Sequence, residues 1–383
     1  MKILFIRNAD RFSGSEKYDI NLFSEFIKDP SLNIHFLTNL RIFARQASRL
    51  GVTAEVISWG SEGVGTKKQL LLALIRLPIN LLQYLTLIHK LEKNVRFDLI
   101  CLQSMTEKIF LTPILKILRY KILWTEQGPI YGTQMSQVIT LLYKLVSFYV
   151  DKILTVSQDT KRDLIRGGVS ATKITSIYIG IDTNKFKPLS KIRISNLRKM
   201  LHIRPSAFIL GFLGTVTDEK GIEDFVLVSN MLLKQDKNFH FVVIGDGPFL
   251  QWVKKSVNKL KMTQNYTCTG FIEDVTKYLG VIDILFLPTR HYEGLPLAIA
   301  EAQSMGKVVI TSRMGGNPEI INNGVNGFLY KQFNTTTIVK RIDTLRFHRS
   351  KMIELNSRAR ENIMERFNIE IQAKKFIQFL QNL

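Results

Sequence analysis

The sequence predicts an α/β protein built from two doubly wound domains in tandem. The chain has 383 residues, more than a single hydrophobic core usually spans. Short apolar runs of strand type alternate with helical-period runs, and this alternation restarts after residue 187. The composition is 45% hydrophobic and 22% charged, which argues against disordered and fibrous classes.

In the first half, the predicted strands are separated by helical candidates. This β-α alternation predicts a parallel sheet with helices on both faces. The helices include SEKYDINLFSEFIK and residues 158–166, and the strands are KILFIR, NIHFLT, AEVISW, DLICL, KILW, KILTV and ITSIYI.

Two apolar segments of this half are not expected to be membrane signals. The N-terminal run MKILFI is too short for a signal peptide and is better explained as the first strand. The run 70–89 is interrupted by Arg76, Pro78 and Asn80, which disfavours a membrane span. We expect an amphipathic or buried helix there, kinked or started at Pro78.

The second half repeats the alternation with the strands AFILGFLG, FHFVVIG, YTCTGF, DILFLP and KVVITS, and is helical from 335 onward. The join, GIDTNKFKPLSK, contains turn residues, Pro188 and a basic run, so we place the boundary there. The predicted domains are 1–187 and 188–365, followed by a terminal helix in 366–383. Ligands of such sheets bind beyond the carboxyl ends of the strands, so we expect a site in a cleft between the domains.

The charge balance predicts an anionic partner. Lys and Arg number 53 against 32 Asp and Glu, a formal charge of +21. Nucleic acid, an acidic lipid surface and a phosphorylated substrate all fit this charge, and so does a merely basic soluble protein. Residues 41–123 hold 13 basic and five acidic residues among leucine-rich helices. That pattern suits an anionic bilayer surface or, equally, a solvated face over a leucine core.

The sequence lacks two kinds of motif, and their absence limits the class of protein. The chain has two cysteines, Cys101 and Cys268, without metal-ligand or disulfide spacing, which fits a reducing compartment. No nucleic-acid-binding motif accompanies the positive charge, so we expect no nucleic-acid partner.

The stretch EGLPLAIAE, residues 293–301, carries the most specific chemistry. It follows the strand DILFLP, and Pro296 suits the first turn of a helix that Gly306 ends. Glu293 then lies in the loop before the helix and Glu301 in its second turn. Amides of Gly294, Leu295 and Leu297 are available to an anion at the helix start.

The two glutamates of this stretch suggest a ligand with hydroxyls as well as phosphate. A carboxylate accepts hydrogen bonds from a vicinal diol, as on a ribose or a hexose. The pattern therefore predicts a nucleotide sugar. The alternative is that Glu293 caps the helix and Glu301 is an ordinary solvated helix residue.

The stretch also resembles the E-x7-E motif of the retaining family 4 glycosyltransferases, which have the GT-B fold of two Rossmann-like domains. The resemblance is dense between about 150 and 330 and thinner before that. It includes GKVVITSRMGGNPEIINNGVNGFLY, VVIGDGP, TGFIEDVTKYLGVIDILFLP, TVSQDTKRDLI and IYIGIDTNKFKP.

The resemblance implies specific roles in the second domain. Glu301 would bind the donor ribose, Glu293 would hold the transferred sugar, and Lys220 would neutralise the diphosphate. The family also implies backbone contacts to sugar, diphosphate and base from Gly294, Leu295, Pro296, Leu297 and the segment near Phe271.

In the first domain, which receives the acceptor in this family, RFSGSEKYDINLF resembles the glycine-rich loop after the first strand. Ser13 and Gly14 would lie close to a phosphate. Glu16 opens the following helix, where the helix dipole favours it even without a ligand. The terminal helix is expected to return to brace this domain.

The sequence departs from the family pattern at a basic residue of the diphosphate site. Thr215 stands where the family commonly has an arginine that partners Lys220. We hypothesise that Arg290 or Arg313 supplies the missing charge.

A second departure concerns the acceptor loop. Gln127, in LWTEQGPIYG, stands where the family often has a histidine, and it cannot take a proton at neutral pH. Glu126 is an alternative polar contact. In the family, retention proceeds by front-face attack assisted by the leaving diphosphate, and no D-x-D metal motif occurs here. We therefore expect no cofactor and no protein-held metal.

Three other functions have some support in the sequence. GSEGVGTKK, residues 60–68, resembles the P-loop of a kinase or an ATPase, but its lysine is misplaced. A sugar-nucleotide epimerase of the same architecture and a non-enzymatic basic anion-binding or nucleic-acid-binding protein remain alternatives. The favoured function is transfer of a hexose or N-acetylhexosamine, from UDP-sugar in preference, to a glycan or lipid-linked acceptor in surface polysaccharide synthesis. We expect a cytoplasmic protein, peripheral on the inner face of the plasma membrane.

Overall fold

The chain divides into two compact units, Met1–Gly180 with Ile369–Leu383, and Ile181–Asn368. The structure is a computed structural model that describes residues 1–10, 14–57, 67–92, 95–131, 137–331 and 333–383. The boundaries predicted after residues 187 and 365 lie seven residues beyond Gly180 and three before Asn368.

The first unit is built on a seven-stranded parallel sheet in the order β3-β2-β1-β4-β5-β6-β7. All seven predicted strands form, and the predicted helix 158–166 is observed at those bounds. The strands are β1 Lys2–Ile6, β2 Asn33–Thr38, β3 Thr53–Val56, β4 Leu99–Leu102, β5 Ile122–Glu126, β6 Lys152–Thr155 and β7 Ile174–Ser176. The helices are α1 Gly14–Phe26, α2 Arg41–Arg49, α3 Lys67–Glu92, α4 Met105–Ile117, α5 Gln137–Ser147 and α6 Gln158–Arg166.

Alternate residues of β1 face the two helical layers. Leu4 and Ile6 belong to a core cluster with Tyr84 of α3 and Tyr143 of α5. Between them, Phe5 points the other way and packs edge-on against Phe23 of α1, with ring centroids 5.2 Å apart. Helices α3 and α5 therefore cover one face of the sheet and α1 covers the other.

Helix α3 forms where the amphipathic or buried helix was expected, and Pro78 lies inside it. It begins at Lys67 and runs through Pro78, so the predicted start at Pro78 is wrong. Tyr84, Ile88 and Leu91 are buried, whereas Ile79 and other apolar residues on the opposite side are exposed. None of the helices in the described part of the chain is long and apolar enough to cross a membrane.

The second unit has a six-stranded parallel sheet in the order β10-β9-β8-β11-β12-β13. Five of its strands are predicted, and the three-residue β13 is not. The strands are β8 Phe208–Leu213, β9 Phe239–Ile244, β10 Tyr266–Cys268, β11 Ile284–Leu287, β12 Val308–Ser312 and β13 Phe328–Tyr330. The helices are α7 Lys191–Met200, α8 Ile222–Gln235, α9 Leu250–Lys259, α10 Thr276–Val281, α11 Leu297–Ser304, α12 Asn317–Ile320, α13 Thr335–Phe347 and α14 Arg349–Arg366.

The last helix, α15 Ile369–Gln381, belongs to the first unit. Phe376 packs edge-on against Phe26 of α1, with ring centroids 5.2 Å apart. The chain from 335 onward is helical, as predicted.

Each sheet has one point where the strand order reverses direction. In the first sheet this switch lies between β1 and β4, and in the second between β8 and β11. Loops that leave the carboxyl ends of strands on either side of a switch diverge and leave room for a ligand. The two switch points are therefore where a site is expected in each unit.

Candidate active site

Two predicted catalytic residues meet at the switch point of the second unit. Lys220 ends a short 3-10 turn, Asp218–Lys220, that follows β8. Glu293 lies in the loop that follows β11, and its carboxylate accepts a hydrogen bond from the Lys220 ammonium. Each side chain is 21% exposed, so a ligand can reach both the cation and the carboxylate. The arrangement offers a charge for a phosphate beside an acceptor for hydroxyl groups.

Glycines hold these two loops in close contact. Gly221 adopts φ +74°, and a Cβ there would lie 1.9 Å from the Pro288 carbonyl oxygen. A Cβ on Gly316 would lie 1.9 Å from the carbonyl oxygen of Gly294. The Gly316 amide donates to the Glu293 carbonyl at 2.9 Å, and this hydrogen bond holds the Glu293 loop against Gly316. Only glycine permits such backbone approach.

The E-x7-E stretch forms a loop and a helix start, as predicted. Helix α11 begins at Leu297 after Pro296, and it has no side-chain cap, so the alternative that Glu293 caps this helix does not hold. Within the described residues, no acceptor lies in hydrogen-bond range of the Gly294, Leu295 and Leu297 amides. Glu301 lies in the second turn of the helix and is half-buried.

Arg290 is engaged by carboxylates. Its guanidinium makes two hydrogen bonds to Asp224, at 2.8 and 3.1 Å, and one to Asp218 at 2.8 Å. Its amide donates to the Glu219 carbonyl at 2.8 Å. The hydrogen bond to Asp224 raises the pKa of Arg290 above its usual value. These contacts brace the 3-10 turn that carries Lys220.

The other candidate cation, Arg313, is exposed after β12. Across the described ranges, its side chain has no ion-pair partner. Of the two arginines hypothesised to replace the missing family arginine, Arg313 is therefore the one whose charge is not paired within the part of the chain that the structure describes.

Thr215 and Phe271 lie on loops at the same sheet edge, on either side of the loop that follows β9. Thr215 precedes Val216, whose amide donates to the Asp246 carbonyl at 3.0 Å and so ties the β8 loop to the β9 loop. Gly270 pairs with Gly245, which brings the β10 loop alongside. Phe271 follows Gly270 and is 66% exposed, so an aromatic ring is presented at this edge.

The first unit places Gln127 beside a buried ion-pair network. The Gln127 amide Nε2 lies 3.4 Å from Asp19 Oδ1, and Arg7 binds both Asp19 and Glu16 at 2.6 Å. Burial raises the pKa of Asp19 to about 6, an effect that the Arg7 charge opposes. Gly14 is the exposed first residue of α1. Ser13 lies outside the described residues, as does most of the P-loop-like stretch.

Glu126 does not fit the alternative role suggested for it. Its carboxylate is buried, pairs with the Lys108 ammonium at 2.5 Å and accepts from the Tyr143 hydroxyl at 2.8 Å. Burial raises the pKa of Glu126 and lowers that of Lys108. This glutamate therefore stabilises the interior of the unit and does not face a sugar, because side chains alternate along a strand and β5 ends with Glu126 turned inward.

Three residues of this region were missed from the sequence. Asn8 follows β1, Gln103 follows β4 and Glu107 lies in the first turn of α4. Glu107 Oε1 accepts from Asn8 Nδ2 at 2.6 Å and from the Tyr84 hydroxyl at 2.7 Å. In contrast, Asn8 Oδ1, Gln103 Oε1 and Glu107 Oε2 are buried acceptors without a donor in the described part of the chain. Polar residues directly after strands at the switch are the pattern that could have found them.

Two doubly wound parallel sheets, one with a lysine–glutamate pair beside an E-x7-E helix, are the features of a GT-B glycosyltransferase. Two family descriptions match the chain. "Glycosyl transferases group 1" matches residues 194–365 and "Glycosyltransferase Family 4" matches residues 39–185. Together they span most of the chain, and the chain belongs to the family 4 glycosyltransferases of GT-B fold.

Individual relatives agree with this assignment. The UDP-Gal:alpha-D-GlcNAc-diphosphoundecaprenol alpha-1,3-galactosyltransferase of Escherichia coli is 26% identical over 64% of this chain and 65% of its own length. A GDP-mannose-dependent alpha-(1-6)-phosphatidylinositol monomannoside mannosyltransferase of Mycobacterium tuberculosis is 22% identical over 68% of this chain and 69% of its own. The chain thus matches less than two thirds of the E. coli protein.

Among solved structures, Anabaena Alr3699/HepE in complex with UDP-glucose superposes with a TM-score of 0.84. It is 19% identical and covers 100% of both chains. At this identity, the likeness shows a shared fold.

Proposed function

We propose that this protein is a retaining glycosyltransferase that moves a hexose or N-acetylhexosamine from a nucleotide-diphosphate sugar to a glycan or lipid-linked acceptor. The observation that carries the proposal is the Lys220–Glu293 pair, together with amides at the start of α11 that have no acceptor among the described residues. A cation on the turn after β8, with three amides and two glutamates in the loop and helix after β11, matches the needs of a diphosphate between two polyols.

UDP is the proposed nucleotide. The E. coli relative is named for UDP-Gal and the Anabaena structure contains UDP-glucose, whereas the M. tuberculosis relative is named for GDP-mannose. The exposed Phe271 ring offers a stacking surface to a base but does not discriminate between bases. The weight of the comparisons therefore favours UDP over GDP.

The acceptor is proposed to carry several hydroxyl groups and a lipid anchor. Buried acceptor atoms of Asn8, Gln103 and Glu107 require donors, and sugar hydroxyls supply them. The E. coli relative is named for an acceptor sugar on diphosphoundecaprenol, which supports the lipid link. Such an acceptor would bring the enzyme to an anionic membrane surface, on the cytoplasmic face in our proposal, for synthesis of a surface polysaccharide.

The proposed chemistry depends on stabilising the leaving diphosphate. Lys220 and the amides of Gly294, Leu295 and Leu297 balance the charge that develops as the glycosidic bond breaks. No protein-held metal and no cofactor are invoked. Glu293 and Glu301 orient sugar and ribose, and the front-face attack of the acceptor passes its proton to the leaving oxygen, because Gln127 cannot act as a base.

An assay with and without acceptor tests the proposal. Radiolabelled UDP-glucose, UDP-galactose and UDP-N-acetylglucosamine are incubated with the enzyme and with short-chain polyprenyl-diphosphate-linked sugars. We expect label in the lipid fraction with one donor and the α-anomeric linkage by NMR. Conversion of the nucleotide sugar to its epimer without any acceptor would support the epimerase alternative and contradict ours.

A further inference from the structure

One buried carboxylate of the first unit lies against the ends of three neighbouring strands. Asp19, on the inward side of α1, is 1% exposed. Arg7 follows β1, Gln103 follows β4 and Gln127 follows β5, and these strands are adjacent in the sheet. Asp19 accepts hydrogen bonds from the side chains of all three. A single helical residue therefore connects three side chains at the switch point of the first sheet.

Arg7 holds the Asp19 carboxylate in one orientation. Its Nη1 donates to Asp19 Oδ2 at 2.6 Å, and its Nη2 donates to Glu16 Oε1 at 2.6 Å. The Arg7 amide donates to the Leu37 carbonyl at 2.9 Å, so the arginine backbone is held to the neighbouring strand. Because the guanidinium takes one oxygen of Asp19, the other oxygen, Oδ1, is the one directed at Gln127, 3.4 Å from its Nε2.

The charge of Asp19 decides how the two glutamine amides are turned. The pKa of Asp19, which burial raises to about 6, is below neutral pH, so the carboxylate is charged there. A charged carboxylate only accepts hydrogen bonds, and each amide that faces it must therefore turn its NH2 group inward. Gln103 and Gln127 then direct their Oε1 atoms away from Asp19. Neither oxygen has a hydrogen-bond donor among the described residues.

The stability of the ion pair does not explain why Asp19 is present. Glu16 and Asp19 share the Arg7 guanidinium, and they are 3% and 1% exposed. One buried carboxylate is enough to balance one guanidinium, and a second buried charge is costly. A costly buried charge at the switch point of a sheet is typical of a functional site.

We infer that Asp19 is a positioning residue for the sugar acceptor, which it serves by turning the amide oxygens of Gln103 and Gln127 toward the acceptor hydroxyls. The inference rests on the proposed function, in which the attacking hydroxyl passes its proton to the leaving oxygen. An amide oxygen accepts a hydrogen bond but does not take the proton at neutral pH. The two glutamines can therefore hold hydroxyl groups in place without acting as bases.

An exchange of amide and carboxylate between positions 19 and 127 tests the inference. Asp19→Asn keeps an oxygen for Arg7 and presents its NH2 group to both glutamines, so both amides should reverse. We expect the KM for the sugar acceptor to rise about 25-fold, about fivefold for each reversed amide, with the donor KM unchanged. Adding Gln127→Glu supplies one oxygen to the new NH2 group and another to the acceptor. The double variant should return to about fivefold above wild type, since Gln103 stays reversed.

The assay uses the full chain, the UDP-sugar that the wild type transfers and a polyprenyl-diphosphate-linked sugar. The matched control is Asp151→Asn, which loses an ion pair with Lys116 at 3.0 Å directly before β6, at the opposite ends of the strands. It should lower the melting temperature but leave the acceptor KM unchanged. The inference is overturned if Asp19→Asn raises the acceptor KM no more than this control does, or if the double variant shows no recovery.

Thermal unfolding follows the same exchange without any substrate. Gln127→Glu alone sets two carboxylates against each other and should lower the melting temperature by about 4 °C, a loss that Asp19→Asn in the same chain should cancel. Purely additive changes in melting temperature would show that the two side chains do not interact and would overturn the inference. Coupled changes in a chain that transfers no sugar would support the Asp19–Gln127 orientation and count against the proposed function alone.

Discussion

The charged side chains at the switch point are partly exposed in the second unit and buried in the first. In the second unit, Lys220 and Glu293 are partly exposed, and glycines fix the loops that carry them. In the first unit, Arg7 is bound by Asp19 and Glu16, all three almost fully buried. The second unit thus exposes charged side chains to a ligand on loops that glycines hold in place. In the first unit, the charged side chains are buried and bound to one another.

This difference assigns different tasks to the two regions. Charges that a ligand can reach stabilise a developing negative charge without prior reorganisation. Buried pairs are costly to assemble and costly to break, so they set geometry more than affinity. We therefore expect changes to the partly exposed charges of the second unit to act on turnover and donor affinity, and changes to the buried charges of the first to act on stability and its pH dependence.

The largest expected effect is the loss of turnover when Lys220 is replaced. Lys220→Ala removes the cation at the diphosphate and should lower turnover by about 100- to 1,000-fold. The measurement is the steady-state rate of nucleotide release with saturating donor. Lys234→Ala, in the exposed last turn of α8, is the control and should keep full activity. If the turnover of Lys220→Ala lies within threefold of the wild-type value, Lys220 does not stabilise the leaving group electrostatically.

The next prediction tests whether glycine contacts hold the site rigid. Gly316→Ala places a Cβ 1.9 Å from the Gly294 carbonyl oxygen and should destabilise the fold by about 3 kcal/mol. Gly324→Ala is the control: it has φ +81° but open space for a Cβ, so it should cost only about 1 kcal/mol. Chemical denaturation measures both, and equal costs for the two variants would mean that the close approach has no energetic role.

In the first unit, the pH dependence of stability reports on Asp19. Its folded pKa, raised by burial to about 6 from 3.8, means that the native state holds this proton more tightly than the unfolded state. Its contribution therefore falls as pH rises from about 4 to 6, by about 3 kcal/mol at most. In Asp19→Asn, this decrease should disappear from the difference between unfolding curves measured across that window. An unchanged pH dependence would place the Asp19 pKa near its ordinary value.

The smallest expected effects distinguish a ligand-binding role for Arg313 from a structural role for Arg290. Arg313→Ala should weaken UDP binding by about tenfold without lowering the melting temperature, because its exposed side chain is uncommitted. Arg290→Ala should instead lower the melting temperature by about 2 °C, since it releases Asp218 and Asp224. Calorimetric titration and thermal unfolding check the pair. If both variants keep wild-type UDP affinity, neither arginine replaces the family's missing one.

The strands of both sheets were largely predictable, but the sequence located the candidate site of the second unit better than the polar groups of the first, for a physical reason. The donor site is made by backbone loops whose glycines and prolines stand in contiguous motifs, so EGLPLAIAE could be placed on a loop and helix start. The first unit brings Arg7, Asp19 and Gln127 together, and Asn8, Tyr84 and Glu107 form a second group. These residues come from helices and from the ends of different strands, so nothing local marks them as neighbours. Whether an apolar side of α3 is exposed was left open, because a leucine-rich helix gives no sequence sign of which apolar side is covered.

We propose that the loop and helix start at 293–301 bind a nucleotide diphosphate with Glu301 on its ribose. The most direct test is a thermal-shift panel of UDP, GDP, ADP and their sugar conjugates on the wild type and Glu301→Ala, with Glu354→Ala on the exposed side of α14 as control. We predict a shift for UDP and its sugars that the control keeps and Glu301→Ala loses. No shift for any nucleotide, or an equal shift in Glu301→Ala, would contradict the claim.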